Sequence, residues 1–206
     1  MNQYYRLLDL PNDPLKDKTA ILEKYSSEFK GYKLDNLSII KDDVLETFSK
    51  IGLEPDFVVV FPAKLNGEQE KRFLHSDITY DRETSSWKHV TFGVNWDIQG
   101  EGIFQWFNVP MNIRRQWPKG DPNDAVLEKL CGIHFGVRNH LGLPQGVTLL
   151  DSVSTANPIL ARTDIAHNVI YSVPRVCVSI RFKNSVNRNW QEVYNAFDPI
   201  KKLGGP

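Results

Sequence analysis

Two segments far apart in this chain alternate strictly between apolar and polar residues, and they constrain its fold more than any other feature. In HVTFGVNWDI, Val90, Phe92, Val94 and Trp96 alternate with Thr91, Gly93, Asn95 and Asp97. In RVCVSIRF, Val176, Val178, Ile180 and Phe182 alternate with Arg175, Cys177, Ser179 and Arg181. Successive side chains of a strand point to opposite faces, so this period of two predicts strands whose two faces meet different surroundings.

Other short runs join them. DFVVVF reads as a buried strand stopped by Pro62, and IFQWFNV, after the turn QGEG, as the hairpin partner of the first alternating strand. VTLLDSV, PILAR and HNVIYS follow, each bounded by turn residues. Many short strands separated by turns predict a β-sandwich or barrel. Three segments carry helical spacing instead. Residues 13–31 open on Asp13-Pro14 and place Ile21, Leu22 and Tyr25 on one side. Residues 41–53 do so with Val44, Leu45, Phe48 and Ile51, and residues 185–198 with Trp190, Val193, Tyr194 and Phe197. There is no repeat, low-complexity tract or Ser/Gly linker. The expectation is one domain over 1–206, α+β but mainly β, with N-terminal helices and a C-terminal helix flanking the β core.

Charge narrows the partners. Lys plus Arg equals Asp plus Glu at 25 each, for a formal net charge of zero. That argues against binding nucleic acid or an anionic membrane through bulk electrostatics. NIRRQWPKG, with Arg114, Arg115, Trp117 and Lys119, reads as a solvated loop. No apolar run approaches the roughly 18 residues of a membrane span. The start, MNQYYRLLDLPNDP, has no secretory pattern, so the expected setting is cytoplasmic. Cys131 and Cys177 lie far apart without a CxxC, and both are expected to be reduced, buried and small.

The chemistry-bearing residues begin with FLHSDITY, residues 73–80. His75 and Asp77 stand at i and i+2, about 7 Å apart along one face of a strand, where imidazole and carboxylate can converge on an ion. Alone the pair is weak evidence, since roughly 0.6 such His-x-acid matches arise by chance in this composition. A second histidine from another strand would complete a 2-His-1-carboxylate set with open positions. His89 is read as a neighbour of the site, and His134 and His140 as loop or surface residues. His167 qualifies, because it stands in the most strand-rich stretch. Past the turn SVP comes Arg175, which a hairpin would bring beside the metal position. An inward arginine needs an anion or acidic partner, which a dicarboxylate would supply through paired N–H···O bonds. A protein carboxylate would serve as well.

HSD at 75–77, VNWDI at 94–98 and IAHNVIYSVPRVCVSIRF at 165–182 together resemble the 2-oxoglutarate- and Fe(II)-dependent oxygenases, near their aspartyl/asparaginyl β-hydroxylase-like and prolyl-hydroxylase-like members. The resemblance spans roughly residues 57–183. It implies a double-stranded β-helix core, a jelly roll of the cupin kind, and hydroxylation of a substrate C–H bond with O2 as oxidant. It implies Fe(II) held by His75, Asp77 and His167, and 2-oxoglutarate anchored by Arg175 or, as second candidate, Arg181. Asn95 and Ser179 would assist the cosubstrate. Cys177 departs from the serine many members carry two residues after the arginine. Two alternatives stand beside this reading: a non-catalytic jelly-roll module, and a cupin-like metalloenzyme that uses no 2-oxoglutarate.

Overall fold

A computed structural model describes residues 2–28, 31–64, 73–81, 83–110, 132–138 and 145–201. Cys131, His140 and the basic loop at 112–120 lie outside them. In chain order the elements are β1 (Tyr5–Leu7), α1 (Lys18–Tyr25), β2 (Tyr32–Leu34), α2 (Asp42–Lys50), β3 (Pro55–Ala63), β4 (Phe73–Asp81), β5 (Ser86–His89) and β6 (Phe92–Gln99). They continue with β7 (Ile103–Asn108), β8 (Gly132–Arg138), β9 (Thr148–Ser154), β10 (Ile159–Arg162), β11 (His167–Ile170), β12 (Arg175–Phe182) and α3 (Trp190–Ala196). Among the described residues strand exceeds helix, 45% against 20%, which makes this part of the chain mainly β as expected. No helix among the described residues is long and apolar enough to cross a membrane.

The strands form two antiparallel sheets. One has the order β1-β10-β6-β12-β3-β2, the other β5-β4-β11-β7-β9, with β8 also paired to β4. Two expected hairpins are corrected by this order. β6 lies between β10 and β12, whereas its successor β7 lies in the other sheet between β11 and β9. Likewise β11 pairs with β4 and β7, whereas β12 lies between β3 and β6. QGEG and SVP end strands as read, but each carries the chain across to the opposite sheet. Gly100 makes the first crossing at φ +65°, a conformation glycine adopts without strain. It also packs closely, since a Cβ there would lie 2.3 Å from the Pro174 carbonyl oxygen.

Other boundaries differ for local reasons. Helix α1 starts at Lys18, capped by Asp17, whose side chain accepts from Ala20 N. Asp13 instead accepts from Leu15 N, and Leu15 pairs with Ile40 in a β-bridge that holds residues before the helix extended. Pro62 does not stop β3. It stands opposite Val176 of β12, beyond the Val58–Val60 stretch that β2 covers, where β3 has a single neighbour among the described residues. His134, read as loop or surface, belongs to β8 and pairs with His75. α3 is shorter than the 185–198 pattern, because Asn189 caps it by accepting from Gln191 N and Glu192 N.

The alternating faces then separate two interiors. Phe92, Val94, Trp96, Val176, Val178, Ile180 and Phe182 join Val44, Phe48, Trp190, Val193 and Phe197 in the largest apolar core, beneath the helices. The Phe48 ring meets Phe182 at 5.1 Å, edge to face. The opposite faces of β6 and β12 look toward the second sheet. That inter-sheet space is apolar at one side, where Tyr5, Phe104, Trp106, Ile159 and Ala161 cluster. Elsewhere it holds Asn95, Ser179, Arg175 and Arg181, all buried.

Candidate metal centre

β4 brings His75 and Asp77 to the inter-sheet face, and the register pairs His75 with His167 of β11. Residues paired across an antiparallel ladder share a face, so the second histidine arrives beside the first. The rings lie 4.5 Å apart between centroids. Asp77 Oδ1 is 3.8 Å from Nε2 of each histidine. One ligand atom from each residue lies within 4.8 Å of the others, so His75, Asp77 and His167 form a group able to hold a metal ion. Asp77 and His167 are buried, while the His75 side chain is 36% exposed, which makes the histidine side the approach to the site.

Each group is held in place. The Asp77 backbone N donates to Thr163 O at 2.8 Å, and its carbonyl accepts from Val90 N at 3.0 Å. His167 Nδ1 lies 2.8 Å from Ile165 O, a contact that puts the ring proton on Nδ1 and turns the Nε2 lone pair toward Asp77. Phe104 stacks on the same imidazole at 5.0 Å. Burial foremost, then His75, pushes the His167 pKa down to about 3 against the opposing pull of Asp77. The ring is therefore neutral, the form that ligates metals. Burial would raise the Asp77 pKa, but its charged surroundings, the Arg181 guanidinium foremost, outweigh it and hold the carboxylate ionised below its ordinary range.

The two arginines are not where the hairpin expectation put them. Arg181, the second candidate, reaches the site: its Nη1 lies 2.7 Å from Asp77 Oδ2. Neither atom has a hydrogen bond of good geometry, and Arg181 Nε and Ser179 Oγ are likewise buried without one. Gly93 makes room for this guanidinium, because a Cβ there would lie 2.9 Å from Nη1 and 3.3 Å from Ser179 Oγ. Arg175 sits at the opposite end of β12, roughly 20 Å away along the strand at its ordinary rise. It pairs with a protein carboxylate: Nε donates to Asp97 Oδ2 at 2.7 Å, and Nη2 lies 2.6 Å from Oδ1. The Thr155 hydroxyl also donates to Asp97 and accepts from Gly102 N at 2.7 Å. Asn95 stands opposite Ser179 on the inter-sheet face. Cys177 is buried, as expected.

Sequence reasoning missed Asp97, although its place on the polar face of β6 was the available signal. Gly93 stands on that same face, and nothing in the sequence marks Thr155. No family model matches this sequence, and comparison with curated proteins found no match.

Proposed function

We propose that this protein is an Fe(II)- and 2-oxoglutarate-dependent oxygenase that hydroxylates a substrate C–H bond with release of succinate and CO2. The observation that carries the reading is the convergence of His75, Asp77 and His167 from two paired strands, facing unsatisfied donors on the opposite sheet. The donor set, two imidazole nitrogens and one carboxylate with the His75 side open, is the facial arrangement suited to Fe(II) and O2. Strand order supports the same reading. β10-β6-β12-β3 faces β4-β11-β7-β9, and the eight strands in sequence pass between the sheets as in a jelly roll of two Greek keys.

In this reading His75, Asp77 and His167 would hold the metal, with the two Nε2 atoms and Oδ1 the ligand atoms that face one another. Bound Fe(II) would supply the redox chemistry with O2 that no side chain here provides. The chain contributes orientation and charge. Ile165 fixes the His167 tautomer, Arg181 keeps Asp77 ionised, and Arg181 with Ser179 offers unpaired donors to a carboxylate of the cosubstrate. Asn95 lines the same face. Arg175 can act as an anchor only while sharing its charge with Asp97.

Anaerobic titration with Fe(II) and 2-oxoglutarate is expected to give a weak visible charge-transfer band, followed in air by slow succinate formation. His75→Ala and His167→Ala should each lose both signals. Their persistence in either variant, or absence from the wild type, refutes the oxygenase reading. The pairing of Arg175 with Asp97 favours one alternative, a cupin-like metalloenzyme independent of 2-oxoglutarate. It predicts metal binding without succinate.

A further inference from the structure

Arg181 occupies an unusual position for a buried cation: it shares one carboxylate with the candidate metal. Its side chain is 6% exposed, and among the described residues its acidic contact is Asp77. The guanidinium sits on Oδ2, while Oδ1 is the oxygen that lies 3.8 Å from both histidine Nε2 atoms. The same guanidinium sits over Gly93 of β6, where an added Cβ would lie 2.9 Å from Nη1.

Without a metal, the charges of Asp77 and Arg181 cancel. Adding a divalent cation at Oδ1 leaves two positive groups around one carboxylate in a buried space, and their repulsion is poorly screened there. An anion that meets both the cation and the free N–H groups of Arg181 relieves it. Ser179 Oγ, buried and without a hydrogen bond two residues earlier on the same face, stands ready to donate to that anion.

The geometry points to Arg181 as a positioning residue that couples the two occupancies: it weakens binding of the cation alone and makes tight binding conditional on a small carboxylate anion. The inference rests on the metal reading above. Coupling of this kind is reciprocal, so the anion in turn needs the cation. Arg181 thereby disfavours a half-loaded site, one holding metal without the anionic partner.

Mn(II) is the probe, with free ion measured by electron paramagnetic resonance in the absence of O2 chemistry. Arg181→Gln is expected to bind Mn(II) alone about tenfold more tightly than wild type, and Arg181→Lys, which keeps the charge, to bind it as weakly as wild type. Equal or weaker binding by the Gln variant, or tight binding by the Lys variant, overturns the coupling. If Arg181→Gln does not fold unaided, recovery of folding with Mn(II) supports the proposal, since the cation then replaces the lost counter-charge of Asp77. Failure to recover counts against it. A separate arm adds 2-oxoglutarate, acetate or succinate in turn. In wild type 2-oxoglutarate should raise Mn(II) affinity, and the gain should shrink in Arg181→Gln. A wild type that gains Mn(II) affinity from acetate or succinate but not from 2-oxoglutarate, with the Gln variant still tighter for Mn(II), removes the oxygenase reading and leaves the Arg181 coupling standing. Indifference to all three anions overturns the coupling.

Discussion

Asp97 and Arg175 meet through both carboxylate oxygens, with side chains 1% and 6% exposed. A buried pair of this kind adds little relative to apolar residues, but losing one partner leaves an uncompensated charge. Arg175→Met is therefore expected to destabilise the fold by about 3–5 kcal/mol, read from urea unfolding. Adding Asp97→Leu should recover most of that loss, and a double variant no better than the single one would refute the account. Cys177 lies on the same strand face. Burial, aided by Asp97 and opposed by Arg175, pushes its thiol up to about 12. Only the thiolate reacts readily. In a Cys131→Ser background the native protein should resist a thiol-specific disulfide reagent at pH 8 and react on unfolding in urea. Fast labelling of the native state would contradict this. His75 and Asp77 were legible at this scale because the strand period places i and i+2 together. The Arg181–Asp77 contact was not, because it joins strands of different sheets.

At the scale of elements, strand existence was easier to read than strand pairing. Period two marked β12 and most of β6, which begins at Phe92 while His89 ends β5, and QGEG marked the end of β6. A turn such as QGEG is compatible with a hairpin and with a crossing, and the choice depends on which neighbours the strands already have. β6 and β12 each have partners on both sides in the first sheet, so β7 and β11 pair elsewhere. Gly100 and Gly52 separate the two demands placed on a turn glycine. Both have positive φ, but a Cβ at Gly52 meets nothing within 4 Å, whereas at Gly100 it strikes the Pro174 carbonyl. Gly52→Ala should cost about 1–2 kcal/mol, the left-handed backbone penalty alone. Gly100→Ala should cost clearly more in the same urea assay, and an equal cost would show that the crossing tolerates displacement.

Across the whole molecule, the first sheet separates two interiors with different tasks. The helix-side core holds Phe48 with Trp96, Phe182 and Phe197 packed around its ring, all buried. The polar space on the other side holds the candidate metal ligands. Phe48→Ala is expected to lower stability by about 3–5 kcal/mol through the cavity it leaves. Mn(II) affinity, measured where the variant is still folded, should be unchanged. Loss of metal binding would mean the two interiors are mechanically coupled. The sequence by itself determined the mainly β class, the two-faced strands and the candidate ligands, because periodicity and residue chemistry act over a few neighbouring positions. Only the tertiary structure decided which sheet each strand joins, that Arg175 answers to Asp97, and that Arg181 touches Asp77. Those contacts join strands distant in sequence, and their energies depend on burial and distance that no local pattern records.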